Sequence, residues 1–122
     1  MQNWSDYSKE LNNRRIPFFK EKEVWWTAIG INIGHEENGK GEQYVRPVLV
    51  LKKFGRATFL GVPFSTSLNT HKLDIEFQLN GRLNKALISQ QRTYDARRLL
   101  TKIGKLDQEL FDRIRKTAKD IL

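Results

Sequence analysis

The spacing of apolar residues along this chain changes period twice. Residues 3–13 place Trp4, Tyr7 and Leu11 on one face at helical spacing, with Asn3 or Ser5 available as a cap and Pro17 beyond the end. The middle of the chain turns strand-like. Glu23 to Ile29 is rich in β-formers, Arg46 and Pro47 lead into the apolar run Val48 to Leu51, and Arg56 to Val62 follows a turn at Gly55. Leu73 to Leu79 alternates strictly, so that strand has one buried and one wet face. Asn80-Gly81 is a tight hairpin signal, and Lys85 to Ser89 is the expected return strand. Between the first two strands lies a polar, glycine-rich loop from Gly30 to Val45. The last third returns to helical period. Asp107 is placed to cap a helix carrying Leu110, Phe111, Ile114, Ala118, Ile121 and Leu122, and Gly104 marks a break before it.

Short strands followed by one helix predict a mainly β domain, a small barrel with a packed C-terminal helix and an extra N-terminal helix. The 122 residues fit a single domain over 1–122, with residues 1–19 as an N-terminal helical extension. A chain of this size buries a core without staples, so the lack of cysteine is no obstacle. That lack does exclude a disulfide scaffold, a thiolate metal site and a cysteine nucleophile. No secretory leader and no apolar run of membrane-spanning length is visible, so a cytoplasmic protein without a membrane partner is expected. The formal net charge of +8 favours polyanionic partners, because lysine and arginine neutralise phosphates and steer their approach.

Chemistry-bearing residues gather in three places. The loop around His35, Glu36 and Lys40 combines glycines, an imidazole and carboxylates, and Arg46 stands where that loop meets a strand. Ser65-Thr66-Ser67 offers three hydroxyls at a strand end. Gln90, Arg92 and Thr93 follow the return strand. Each group also has a plain structural explanation: an exposed histidine, carboxylates balancing Lys40, a hydroxyl turn, a surface ion pair. Two histidines distant in sequence, without cysteine, speak against zinc, and Gly39-Lys40 lacks the context of a phosphate loop.

Several segments, in order, resemble the MazF/PemK toxins. These are Glu23-Val24-Trp25-Trp26, Gly34-His35-Glu36, Asn38-Gly39-Lys40, Arg46-Pro47-Val48-Leu49-Val50-Leu51, Val62-Pro63-Phe64-Ser65-Thr66-Ser67 and Ser89-Gln90-Gln91-Arg92-Thr93-Tyr94-Asp95. The resemblance spans roughly residues 20–122. It implies an SH3-like β-barrel of the CcdB/PemK kind, assembled as a homodimer. It also implies a type II toxin that cleaves single-stranded RNA, often mRNA, without metal or cofactor, and that a cognate antitoxin silences.

In such a reaction the 2′-hydroxyl attacks the adjacent phosphate, so the enzyme supplies positioning, proton transfer and charge stabilisation. By the resemblance, Arg46 is the catalytic guanidinium, Ser65 stands where the family places a catalytic threonine, and Glu36 is the candidate base. His35, Thr66, Lys40, Gln90 and Arg92 are the matching substrate-binding positions. Serine at 65 keeps the hydroxyl but loses the β-branch, so its rotamer is less fixed. Some members carry an aspartate where this chain has Ser89 and an arginine where it has Leu87, so that second arrangement is absent. The loop between Glu36 and Arg46 is longer than in compact members. His35 stands where many have serine and would supply proton transfer near neutrality. Two other classes fit the same fold: a non-catalytic RNA-binding module, and a gyrase-binding poison like CcdB. The joint presence of Arg46 and Ser65 argues for the ribonuclease.

Overall fold

The computed structural model describes residues 14–31, 43–67 and 71–121. Seven strands form one antiparallel sheet: β1 Glu23–Ile31, β2 Gln43–Phe54, β3 Thr58–Ser65, β4 Ile75–Leu79, β5 Arg82–Ala86, β6 Arg92–Asp95 and β7 Leu99–Lys105. Among the described residues one α-helix, α1, covers Gln108–Asp120. The strand order is β4-β5-β3-β2-β1-β7, with β6 beside β3. The first half of β3 pairs with β6 and its last two residues pair with β5. The result is a curled half-barrel with the helix packed against it.

Two cores lie on the two faces of the sheet, and β2 shows why. Its residues alternate, so Leu49 and Leu51 enter one cluster while Val48 and Val50 enter the other. A strand buried on both faces reads as a continuous apolar run, and Val48 to Leu51 is one. The first core holds Phe64 against Phe77, edge to face at 4.7 Å, beneath Phe111, Ile114 and Ala118 of α1. The second stacks Phe59 on Tyr94 at 5.4 Å, with Phe19, Trp25 and Leu99 around them. Asp107 caps α1 as expected, its carboxylate accepting the Leu110 N–H at 2.8 Å.

The structure adjusts several boundaries. β2 begins at Gln43, so Arg46 and Pro47 lie inside the strand rather than at its start. Proline is tolerated there because the ladder to β3 begins only at Val48, and Pro47 faces Trp26 of β1 alone. The return strand was expected over Lys85 to Ser89, but it starts at Arg82 and gives way to a 3-10 turn at Ile88–Gln90. Asn80 and Gly81 adopt φ of 51° and 80°, and a two-residue turn of this kind pairs its flanking residues at once. Gly104 does not break the chain; it pairs with Val24 inside β7.

The expected helix over residues 3–13 lies outside the described residues. The last part of the assigned extension belongs to the domain itself. Phe19 is fully buried in the second core, and the Arg14 guanidinium donates to the carbonyls of Arg97 and Leu99 at 3.0 and 3.1 Å.

Candidate active site

The first half of β2 and the last residues of β3 run antiparallel, and their register pairs Val48 with Pro63. Arg46 lies two residues before Val48 on β2 and Ser65 two residues after Pro63 on β3, so both stand beyond the same end of that ladder. Both side chains are half-buried. They stand on the shared edge of two clefts. The first, of about 460 Å³, is lined by Trp26, Tyr44, Pro47, Thr66, Arg82 and Asn84 among others. The second, of about 340 Å³, is lined by Ser67, His71, Asp74, Leu87, Ser89 and Gln90. Arg46 and Ser65 line both.

Each of the two side chains is held by its own strand. The Arg46 guanidinium donates to the Tyr44 hydroxyl and lies over the Tyr44 ring, 5.1 Å from its centre. Residues two apart on a strand share a face, which is why this pair meets. The Ser65 Oγ accepts the Ser67 N–H at 3.0 Å. That contact fixes a rotamer that serine's missing β-branch left open, and it occupies a lone pair of Oγ while leaving the hydroxyl hydrogen to donate. Among the described residues, the basic side chains lining the clefts are Arg46 and Arg82, with one carboxylate, Asp74.

A family model described as PemK-like, MazF-like toxin of type II toxin-antitoxin system matches residues 20–122. The chain belongs to this family. Its members are toxins, generally endoribonucleases, and the family implies a cognate antitoxin as partner. No curated protein matches the chain. Among the described residues, no helix is long and apolar enough to cross a membrane, and no group of three or more histidine, aspartate or glutamate side chains is placed to hold a metal ion.

The other positions singled out from the toxin resemblance are distributed unevenly. Thr66 lines the first cleft and Gln90 the second. Arg92 lines neither. It projects over the Tyr94 ring at 4.6 Å, because strand alternation puts it on the face that buries Tyr94 in the second core. His35, Glu36 and Lys40 lie outside the described residues. Sequence reasoning passed over Tyr44, His71 and Asp74. The spacing Tyr44-x-Arg46 was a usable signal once a strand was recognised there; the turn that brings in His71 and Asp74 had none.

The side chains with displaced titration lie elsewhere and hold the fold. Burial alone would push the Glu23 carboxyl up. It is outweighed by hydrogen bonds from Lys102, the Lys20 N–H and the Trp25 indole, so the net displacement is downward. The Arg97 guanidinium lowers Asp95 in the same direction, against a smaller opposing effect of burial.

Proposed function

We propose that this toxin is a metal-independent endoribonuclease that cleaves single-stranded RNA by attack of the 2′-hydroxyl on the adjacent phosphate. The observation that carries the reading is the position of Arg46 and Ser65 on the edge shared by two clefts. A phosphodiester held at that edge has room for a nucleotide on either side, which internal cleavage of a strand requires. Arg46 presents a planar, permanently charged fork to the phosphoryl oxygens, and Ser65 adds an O–H donor. Both act on charge that grows in the transition state. In the first cleft Trp26 and Tyr44 are 44% and 40% exposed, which suits stacking of unpaired bases. Thr66 and Gln90 are in place to contact the sugar-phosphate chain.

The base belongs to the same proposal. Glu36 is assigned that role, with His35 and Lys40 as substrate contacts, by their match to the family. We read the curled sheet as the SH3-like barrel of these toxins, working as a cytoplasmic homodimer and silenced by the antitoxin.

The test is incubation of the purified protein and an Arg46→Ala variant with a long single-stranded RNA in EDTA. The expected result is cleavage by the unmodified protein alone, leaving 2′,3′-cyclic phosphate ends. Salt-sensitive RNA binding with no cleavage would point instead to a non-catalytic module. Neither cleavage nor binding would point to a protein target.

A further inference from the structure

The second cleft holds a side chain that no reading of the family motifs assigns. His71 lines it together with Arg46 and Ser65. Its turn is closed from both ends: the His71 N–H donates to Asp74 Oδ2 at 2.9 Å, and the Asp74 N–H donates to the His71 carbonyl at 2.9 Å. Inside that turn the Leu73 N–H donates to His71 Nδ1 at 3.2 Å. An imidazole nitrogen that accepts a hydrogen bond carries no proton, so in this arrangement the ring proton is at Nε2. With Nδ1 occupied, the ring has one N–H to offer and no free lone pair.

We propose that His71 is a further substrate-binding residue of this site, an Nε2–H donor to the scissile phosphodiester rather than a proton carrier. The inference rests on the endoribonuclease reading for its substrate. The groups facing His71 across the cleft fit the assignment. Arg46 on β2 and Ser65 on β3 are also donors, so three segments each bring a donor to the lining of this one cleft. The one carboxylate there, Asp74, is engaged by the His71 backbone, and its Oδ1 is buried with no partner among the described residues. Asp74 shapes the turn that presents His71 to the cleft.

The test compares the unmodified protein with His71→Ala, His71→Gln and His71→Asn, measuring kcat and KM on an RNA oligonucleotide across pH. His71 is solvent-exposed, so these variants should fold. Glutamine reaches about where Nε2 stands and asparagine does not. The alanine and asparagine variants are expected to lose roughly 10²-fold in kcat/KM, glutamine to recover most of it, and every variant to keep the shape of the pH profile. Loss of a limb of the profile in the alanine variant would make His71 a proton carrier and overturn the assignment, as would an alanine variant as fast as the unmodified protein.

Nitrogen NMR of the imidazole gives a second readout independent of turnover. The expected tautomer carries its proton on Nε2, and that signal should move when a dinucleotide lacking the attacking 2′-hydroxyl is added. A proton on Nδ1, or a signal that does not move, overturns the donor role. A signal that moves in a protein that never cleaves RNA retains the donor and removes the nuclease.

Discussion

Tyr44 is the residue through which the placement of Arg46 can be tested without removing the guanidinium. Tyr44→Phe deletes one hydrogen bond, from the Arg46 guanidinium to the Tyr44 hydroxyl, and keeps the ring beneath it. A hydrogen bond to a charged group contributes about 1.5–3 kcal/mol. Tyr44 is 40% exposed, so water replaces part of that and the low end applies. About 1.4 kcal/mol corresponds to a tenfold loss in rate. The ring itself contributes about 0.5–1 kcal/mol at an exposed site, so Tyr44→Leu should lose a further few-fold. Arg46→Ala removes every donor and should cost about 10²–10³-fold. The expected order of kcat/KM on a fluorogenic RNA oligonucleotide is therefore unmodified, Tyr44→Phe, Tyr44→Leu, Arg46→Ala. The loss in Tyr44→Phe should fall on kcat, since a stacking face remains for substrate. A Tyr44→Phe protein as fast as the unmodified one, beside an inactive Arg46→Ala, would refute the claim that the hydroxyl holds the guanidinium in its working position.

Three predictions concern the scaffold. A Cβ added at Gly61 would stand 2.6 Å from Val48 Cγ1 and 2.8 Å from the Tyr94 ring, so Gly61→Ala should destabilise the second core by about 1–3 kcal/mol, read as a lower urea midpoint at unchanged slope. Glu23 titrates below its ordinary value of 4.5, so it contributes stability above that pH that is lost as pH falls through the lowered folded value; Glu23→Gln should flatten the stability curve measured by denaturation on the acid side of pH 4.5, leaving the slope due to Asp95. Asp107→Ala removes the cap on α1 and should cost about 1 kcal/mol by thermal melting, with RNA cleavage unaffected because α1 lines neither cleft that Arg46 shares.

Local signals in the sequence located much of this fold, and tertiary pairing decided the rest. The alternation of β4 is visible residue by residue: Ile75 and Phe77 are buried, Glu76 and Gln78 exposed. The Asn80-Gly81 turn and the Asp107 cap depend only on their own few residues, so pattern reading locates them. The start of β2 does not depend on local pattern. Gln43 to Pro47 lacks an alternating apolar pattern and contains a proline, and it is extended because Tyr44 to Pro47 pair with β1. The meeting of Arg46 and Ser65 depends on the β2–β3 register, which the sequence suggests only through family resemblance. Arg92 shows the converse. Its motif grouped it with these residues, but β6 pairs with Thr58 to Gly61 of β3, away from Ser65 at that strand's end, and Arg92 lies over Tyr94 and lines neither cleft. His71 was invisible because its usefulness comes from a hydrogen bond within its turn together with a neighbouring cleft.

The chemistry of the strand ends limits what they contribute to the proposed reaction. Arg46 donates. Ser65 has one Oγ lone pair taken by the Ser67 N–H and keeps its hydrogen to donate. His71 has Nδ1 taken by the Leu73 N–H, and Asp74 is turned to the His71 backbone. Arg46 and the Ser65 hydroxyl, on the edge shared by the two clefts, are therefore suited to stabilise negative charge. A 2′-hydroxyl attack also needs a base. The segment from 32 to 42 leaves and rejoins the sheet at the Ile31–Gln43 pair, next to Tyr44 and Arg46 in the chain, and it carries both His35 and Glu36. The sheet thus supplies a rigid anion-stabilising edge, while proton abstraction is assigned to the β1–β2 connection. Such a division accounts for the position of the arginine. It stands three residues into β2, close in the chain to the strand end at which that connection rejoins the sheet.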